Sequence, residues 1–146
     1  MITNTIHSDV NRRDLAGHDD VNDLLTRFYG RALVDDVLAE PFAAVRVKGL
    51  DTHLPVMCDF WETVLFSAGR YRGSALTVHR GVHTQYPLSA RHFVRWLNLW
   101  HETVDESYRG PVATRAKVQA GRIAWAMHRR LTGCDAPELD AFLAAA

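Results

Sequence analysis

The sequence predicts an all-α domain, arranged as a crossed sandwich of two helix pairs. Apolar residues recur at three- and four-residue spacing over four long segments, which is the period of an amphipathic helix. The connections between most of these segments are short, which favours antiparallel neighbours. The length of 146 residues is that of one domain. We expect an N-terminal extension over residues 1–18, the helical domain over residues 19–133 and a C-terminal tail over residues 134–146.

The first long helix is expected to begin at Asp19-Asp20, which can cap its start, and to continue to about Leu38. Pro41 then ends the helix or bends the chain after it. Residues 42–50 fit either a short helical turn or a loop that closes at Gly49. The sequence therefore leaves the connection to the second helix open.

The second long helix is predicted to begin near Asp51 or Thr52 and to end near Gly69. Pro55 is expected in its first turn, where a backbone N–H has no partner within the helix. A short helical segment over residues 74–83 follows. Its few bulky side chains indicate a helix that is lightly packed.

Two further long helices complete the predicted domain. Ser89 is expected to cap the third helix. Gly110-Pro111 ends that helix and starts the fourth, because proline is favoured at a first helical position. Gly133 is a natural terminator of the fourth helix. These two helices should form an antiparallel pair, and the tail after them has room for one short helix.

Composition and charge limit the classes of function. The formal net charge is zero and the pI is near 7.1, which argues against binding to nucleic acid or to an anionic membrane surface. Cys58 and Cys134 show no paired spacing, so we expect neither a disulfide framework nor a zinc site. The N-terminal residues are polar, and no apolar stretch is long enough to span a bilayer. We therefore expect a cytoplasmic protein.

Two of the eight histidines are candidates for chemistry. Most histidines, taken singly, are solvent-facing or satisfied core residues. His53, however, lies in register with the apolar residues of the second helix, and His79 lies in register with Leu76 and Val82. No nearby acidic residue or cysteine completes an all-protein metal site. The leading interpretation is that His79 binds the iron of a cofactor, and haem is the leading cofactor.

Two aromatic side chains can supply polar groups to the same cavity. Tyr29 follows Leu25 by four residues on the first helix, and Trp96 lies on the inward face of the third. A buried Tyr hydroxyl or Trp indole N–H needs a hydrogen-bond partner. A nearby backbone carbonyl would satisfy either group. The alternative is that both groups are donors to a polarised ligand.

The ordered set of these residues resembles the truncated haemoglobins, and within them the third group. The resemblance rests on Phe28-Tyr29, Phe42, His53 with Trp61 eight residues later, Tyr71-Arg72-Gly73 with His79 eight residues after the tyrosine, and the segment HFVRWLNLW at 92–100. The similar region covers roughly residues 20–131, and the chain lacks the paired-glycine motifs of the other truncated groups. The resemblance implies a globin-like two-over-two helical sandwich, in agreement with the four long helices.

The same resemblance implies roles for individual residues. His79 would be the proximal ligand of haem b (iron protoporphyrin IX), and Tyr29, His53 and Trp96 would be the distal residues. The other side chains expected to contact the haem are Phe28, Phe42, Met57, Trp61, Leu76, Phe93 and Ile123, with Arg72 and Arg80 as candidate propionate partners by position.

The chain departs from the family pattern after the proximal histidine. The step from His79 to Trp96 is 17 residues, longer than in the family, and HTQYP has the character of a small insertion. His83, one turn beyond His79, is therefore a rival iron ligand. We favour His79 because its distances along the chain from Trp61 and Tyr71 fit the family.

The function implied by the resemblance is binding of O₂, and of NO, CO or peroxide, at an iron that can be five-coordinate. A charge-assisted hydrogen bond to such a ligand is worth roughly 1.5–3 kcal/mol. Two donors predict slow O₂ release, which suits retention or activation rather than transport. NO dioxygenase or peroxidase-like activity is the enzymatic variant and would need an unidentified reductase. The alternative function is a cofactor-free helical interaction domain.

Overall fold

The computed structural model describes residues 12–145, and the regular elements within that range are seven α-helices. They are α1 (His18–Ala32), α2 (Ala43–Lys48), α3 (Leu50–Phe66), α4 (Ala75–Gln85), α5 (Ala90–Ser107), α6 (Pro111–Thr132) and α7 (Pro137–Ala145). In the described range the pairing of extended backbone is limited to one isolated bridge between Arg13 and Tyr108. The predicted all-α class is therefore confirmed.

The long helices pack as two pairs, α1 with α3 and α5 with α6, and α1 also crosses α5. The core lies where the pairs meet and contains Phe28, Leu97 and Trp100, each no more than 1% exposed. The indole N–H of Trp100 donates a hydrogen bond to the carbonyl of Ala116 at 3.1 Å and so joins α5 to α6. The predicted crossed sandwich of two helix pairs is present.

The first helix ends at Ala32, earlier than the predicted end near Leu38. The carboxylate of Asp35 accepts hydrogen bonds from the backbone N–H groups of Val37 and Leu38, at 3.1 and 3.2 Å, and forms an ion pair with Arg95 of α5. A side-chain acceptor of this kind bonds to backbone N–H groups in place of the helical carbonyls, which favours a turn over continued helix. Leu38 is still buried, so the apolar pattern continued beyond the helix and made it seem longer.

The connection from α1 to α3 contains the short helix α2, which ends at Gly49. Gly49 has a φ of 91°, a left-handed backbone conformation that glycine adopts without strain. The next helix begins at Leu50, so Pro55 lies in its second turn rather than its first. The proline ring removes the helical hydrogen bond to the carbonyl of Asp51. The first turn of α3, which carries His53, is thus held by fewer backbone hydrogen bonds.

Helix α4 is the most lightly packed of the helices that bear candidate residues. The hydroxyl of Ser74 caps it by accepting the backbone N–H of Thr77 at 3.2 Å. None of the residues of α4 is fully buried. The helix packs against α6 and has no comparable contact with α3. Its apolar side chains Leu76 and Val82 are half-buried and contact the edge of the core.

The end of the N-terminal extension is anchored to the start of α6. The carboxylate of Asp14 accepts the backbone N–H groups of Val112 and Ala113, at 2.9 and 2.8 Å, and so caps that helix. Pro111 starts α6 as predicted, and Gly133, with a φ of 69°, ends it. The short tail helix is α7. Residues 1–11 of the predicted extension lie outside the described range, and no helix between residues 12 and 145 has the length and apolarity needed to cross a membrane.

Candidate functional site

Tyr29 of α1 and His53 of α3 meet where these two helices pack on each other. The Tyr29 hydroxyl lies 3.0 Å from Nε2 of His53, within hydrogen-bond distance. Their rings are 5.2 Å apart and perpendicular. Tyr29 is 4% exposed and His53 is half-buried. The site therefore has a buried phenol whose polar partner is a more accessible imidazole.

Burial controls the protonation of both groups. It raises the pKa of Tyr29 well above the usual value, so the phenol keeps its proton. It lowers the pKa of His53, and electrostatic interactions with His79 and Lys48 lower it further. His53 is therefore neutral at pH 7.

His79 has one ring nitrogen engaged and one available. Its Nδ1–H donates a hydrogen bond to the carbonyl of Ala75, one turn earlier on α4, at 2.7 Å. This bond fixes the tautomer, because the proton is on Nδ1 and the lone pair is on Nε2. A histidine that binds a metal through Nε2 is commonly oriented by a bond of this type.

His83, the rival predicted from the sequence, has the opposite arrangement. Its Nδ1 accepts the backbone N–H of Leu88 at 2.8 Å. The neutral ring must then carry its proton on Nε2, which leaves no lone pair there for a metal. Through this bond the imidazole of His83 stabilises the turn after α4, in which Leu88 is buried.

Aromatic rings surround the Tyr29 phenol. Phe42 meets it edge to face at 5.9 Å, and Phe28 does so at 5.4 Å. Phe28 in turn meets the ring of Trp96 at 6.1 Å. Trp96 is half-buried, and its indole N–H has no acceptor among residues 12–145. The structure thus brings Tyr29, Phe42 and His53 together, and Phe28 links this group to the ring of Trp96.

Three indoles form a tryptophan stack made of Trp61, Trp100 and Trp96. Trp61 stacks on Trp100 at 4.5 Å, and Trp100 is nearly parallel to Trp96 at 6.0 Å. Trp61 is 2% exposed and contacts the site through Trp100, so its direct contact with a cofactor stays a prediction. Trp100 lies in the segment 92–100 on which the resemblance rests, but nothing in the sequence assigned it a role at the site. Its spacing of four residues from Trp96 was the signal that it supports that ring.

The other predicted residues differ in position. Met57, Leu76 and Ile123 are partly buried at the edge of the core, where one side of each remains accessible. Phe93 is 8% exposed and meets the ring of His128 at 5.7 Å. The predicted propionate partners Arg72 and Arg80 are exposed, and neither guanidinium has an acidic partner in the described part of the chain.

These features fit a flat cofactor with a metal at its centre. The helices that carry His53 and His79 do not pack closely on each other, and their apolar side chains Met57 and Leu76 are only partly buried. Helix α4 carries an imidazole with an available nitrogen, α1 and α3 carry a phenol and an imidazole that bond to each other, and α5 carries an indole N–H without an acceptor in the described range. Haem pockets combine one axial histidine with polar distal groups in this way.

Comparison with solved structures identifies the fold. The chain matches the crystal structure of a group III truncated hemoglobin from Campylobacter jejuni with a TM-score of 0.74 and 20% sequence identity, over 86% of this chain and 99% of the other. The predicted two-over-two globin fold is therefore confirmed, and so is the resemblance to this group at the level of structure. No family model matches the chain, and no curated protein matches it.

Proposed function

We propose that this protein binds haem b through His79 and uses Tyr29, His53 and Trp96 to hold O₂ or a related diatomic ligand. The observation that carries the proposal is the hydrogen bond from Nδ1 of His79 to the carbonyl of Ala75, which leaves Nε2 free. The fold of a truncated haemoglobin supports it. Haem would supply an iron that binds small ligands, and the chain supplies the axial imidazole and the pocket.

The proximal side depends on the choice between His79 and His83. His79 has a lone pair on Nε2, and the bond to Ala75 makes the imidazole a stronger ligand. In the neutral ring of His83 the corresponding nitrogen carries a proton. Breaking the bond between His83 and Leu88 would remove the acceptor of a backbone N–H, which costs about 1–3 kcal/mol if that group stays buried. His79 is therefore the better ligand.

On the distal side, the pair Tyr29–His53 can present its proton in two ways. When Nε2 of neutral His53 is unprotonated, the Tyr29 hydroxyl donates to it. In the other tautomer, Nε2–H donates to the Tyr29 oxygen, and the phenolic O–H is free to donate to a ligand. The raised pKa of Tyr29 keeps that proton on the phenol in both cases. The tautomer of His53 thus controls whether Tyr29 acts as a donor.

The indole N–H of Trp96 is a second hydrogen-bond donor. This group has no acceptor in the described part of the chain, and the tryptophan stack holds the indole ring. Two donors in a pocket of low polarity slow the release of a ligand that carries partial negative charge. We therefore propose retention or activation of O₂, with NO or peroxide chemistry as the enzymatic form and a reductase as partner. Because His53 is half-buried, we propose that a proton or a ligand enters the pocket past its imidazole.

The test compares His79→Gly with His83→Ala after reconstitution with haemin. We expect the wild-type protein and His83→Ala to give a strong Soret band and a five-coordinate ferrous spectrum. His79→Gly should lose the proximal-histidine spectrum and recover it when free imidazole is added. If His83→Ala is the variant that imidazole rescues, the assignment of the ligand is wrong. If the wild-type chain takes up no haemin, the cofactor-free interaction domain becomes the function.

A further inference from the structure

A continuous row of aromatic rings runs from Trp96 to Tyr71. The tryptophan stack is its first part, and Phe60 continues it, with ring centres 5.5 Å from Trp61 and 5.2 Å from Tyr71. We propose that this aromatic row carries electrons from Tyr71 to Trp96, so that Tyr71 is a surface site for the one-electron oxidation of bulky anionic aromatic compounds. The inference rests on the peroxide chemistry proposed above.

The aromatic row is buried in its middle and accessible at both ends. Trp100 and Trp61 are 1% and 2% exposed, whereas Trp96 and Tyr71 are partly exposed. All of the ring spacings lie within about 4.5–7 Å, the range of aromatic contacts. Indoles and phenols lose an electron more readily than most side chains, and a phenylalanine does so with difficulty. Phe60 is therefore the contact through which an electron passes from Tyr71 to Trp61.

The segment that carries Tyr71 is held against α3. The hydroxyl of Thr63 accepts the backbone N–H groups of Arg70 and Tyr71, both at 3.2 Å. A Cβ at Gly73 would lie 2.8 Å from the hydroxyl oxygen of Tyr71, so the glycine leaves room for the phenol there. That hydroxyl has no hydrogen-bond partner among residues 12–145. Because the side chain is partly exposed, water can accept the phenolic proton when Tyr71 is oxidised.

Two arginines flank Tyr71 and indicate the class of electron donor. Arg70 and Arg72 are exposed, and neither guanidinium has an acidic partner in the described range. Positive charge beside the phenol favours the approach of an anion, and salt screens this attraction. Because Tyr71 lies at the surface, the donor does not have to fit between the helices. A bulky aromatic compound with sulfonate or carboxylate groups meets both conditions.

The proposed reaction balances with hydrogen peroxide as the oxidant. Haem, when bound, supplies the iron at which peroxide is reduced. Each electron that leaves Trp96 is replaced along the aromatic row from Tyr71, whose proton passes to water. A donor molecule then returns one electron to the Tyr71 phenoxyl radical, which takes back a proton from water. Two donor molecules thus lose one electron each, and one hydrogen peroxide with two protons becomes two molecules of water.

The first measurement locates the radical by mass spectrometry. The haem-loaded chain is treated with hydrogen peroxide and a nitroso spin trap in the absence of a donor. We expect an adduct on Tyr71 and little on Tyr86, which is also partly exposed but has no ring contact in the described range. Phe60→Leu keeps an apolar side chain of similar volume and should reduce the Tyr71 adduct several-fold. Equal adducts on the two tyrosines, or an unchanged Tyr71 adduct in Phe60→Leu, would overturn the proposal.

The second measurement is steady-state oxidation of the bulky disulfonated dye ABTS by peroxide. Tyr71→Phe should slow this oxidation several-fold while O₂ binding is unchanged. Arg70→Gln should raise the KM for ABTS and leave kcat nearly unchanged, because it removes attraction for the donor and not the oxidised group. A wild-type rate of ABTS oxidation in Tyr71→Phe would show that the dye is oxidised elsewhere and would refute the role of Tyr71.

A third measurement uses the full-length chain without haem. Trp125 is 44% exposed and lies outside the aromatic row, so Trp125→Phe is the background in which azide radicals from pulse radiolysis oxidise Trp96. We expect the indolyl radical to decay as a tyrosyl radical forms, at a rate independent of protein concentration. The tyrosyl signal should be lost in Tyr71→Phe and form more slowly in Phe60→Leu. Its persistence in Tyr71→Phe would contradict the aromatic row, whereas a chain that takes up no haemin would contradict the proposed function instead.

Discussion

Replacing Tyr29 by Phe is the sharpest test of the distal site, because it removes one oxygen atom and keeps the ring. The phenol is 4% exposed, and its ring contacts with Phe28, Phe42 and His53 are retained by phenylalanine. The fold should therefore change little. His53 loses its partner at 3.0 Å, but the imidazole is half-buried, so water can replace the phenol.

The magnitude follows from the type of bond that is lost. A hydrogen bond from the phenol to a ligand with partial negative charge is worth about 1.5–3 kcal/mol. At about 1.4 kcal/mol for each factor of ten, its loss should speed O₂ release by about 10- to 140-fold. Trp96 remains as a donor in the variant, and water beside His53 restores part of the polarity. We therefore expect the lower half of this range.

The assay is stopped-flow displacement of O₂ by CO from the ferrous, haem-loaded protein. Tyr108→Phe is the control, because Tyr108 is equally buried and its hydroxyl also has a partner, Asp23 at 2.7 Å. That variant should lose stability but release O₂ at the wild-type rate. An O₂ release rate within about twofold of wild type in Tyr29→Phe would refute the role of Tyr29 as a donor.

Three further predictions concern the fold. Burial acts to raise the pKa of Asp35, but the bonds from Arg95 and two backbone N–H groups hold this pKa below its usual value. The ionised carboxylate therefore stabilises the fold above about pH 4, and this stabilisation is lost as the pH falls through the pKa of the folded state. Asp35→Asn should accordingly reduce the loss of stability at acid pH in a denaturation profile. Burial raises the pKa of the Cys58 thiol to about 11, so a thiol reagent at pH 8 should label the exposed Cys134 quickly and Cys58 only on unfolding. Trp100→Ala should lower the free energy of unfolding by about 3–5 kcal/mol in denaturant titration, since the ring is 1% exposed; a loss below about 1 kcal/mol would contradict its place at the centre of the tryptophan stack.

Much of the helical layout was predictable because its signals are local. Ser74 and Ser89 precede α4 and α5, Pro111 starts α6, and Gly133 ends it, as the sequence indicates. The error at the end of α1 had a non-local cause. Asp35 forms its turn with help from Arg95, which is 60 residues away in the chain. Apolar periodicity alone could not separate a helix from a turn that packs on the same core.

The candidate site was predictable as a set of residues and not as an arrangement. The resemblance selected Tyr29, His53, His79 and Trp96, and the structure brings Tyr29 to within hydrogen-bond distance of His53. Spacing along the chain could not show which of His79 and His83 has Nε2 available for a metal. Their bonds to Ala75 and Leu88 differ in which ring nitrogen carries the proton, and that difference depends on the backbone after the helix ends.

Local signals were enough to predict which segments are helical, where most of them stop, and which few side chains are candidates for binding a metal or a polar ligand. These properties follow from side-chain periodicity, capping residues and the chemistry of each group, all of which act within a few positions of the chain. The tautomers of His79 and His83, the contact of Tyr29 with His53, and the stacking of Trp61 on Trp100 became visible only in the folded chain. Those features depend on atoms brought together from distant parts of the chain, whose geometry is set by the packing of the helices.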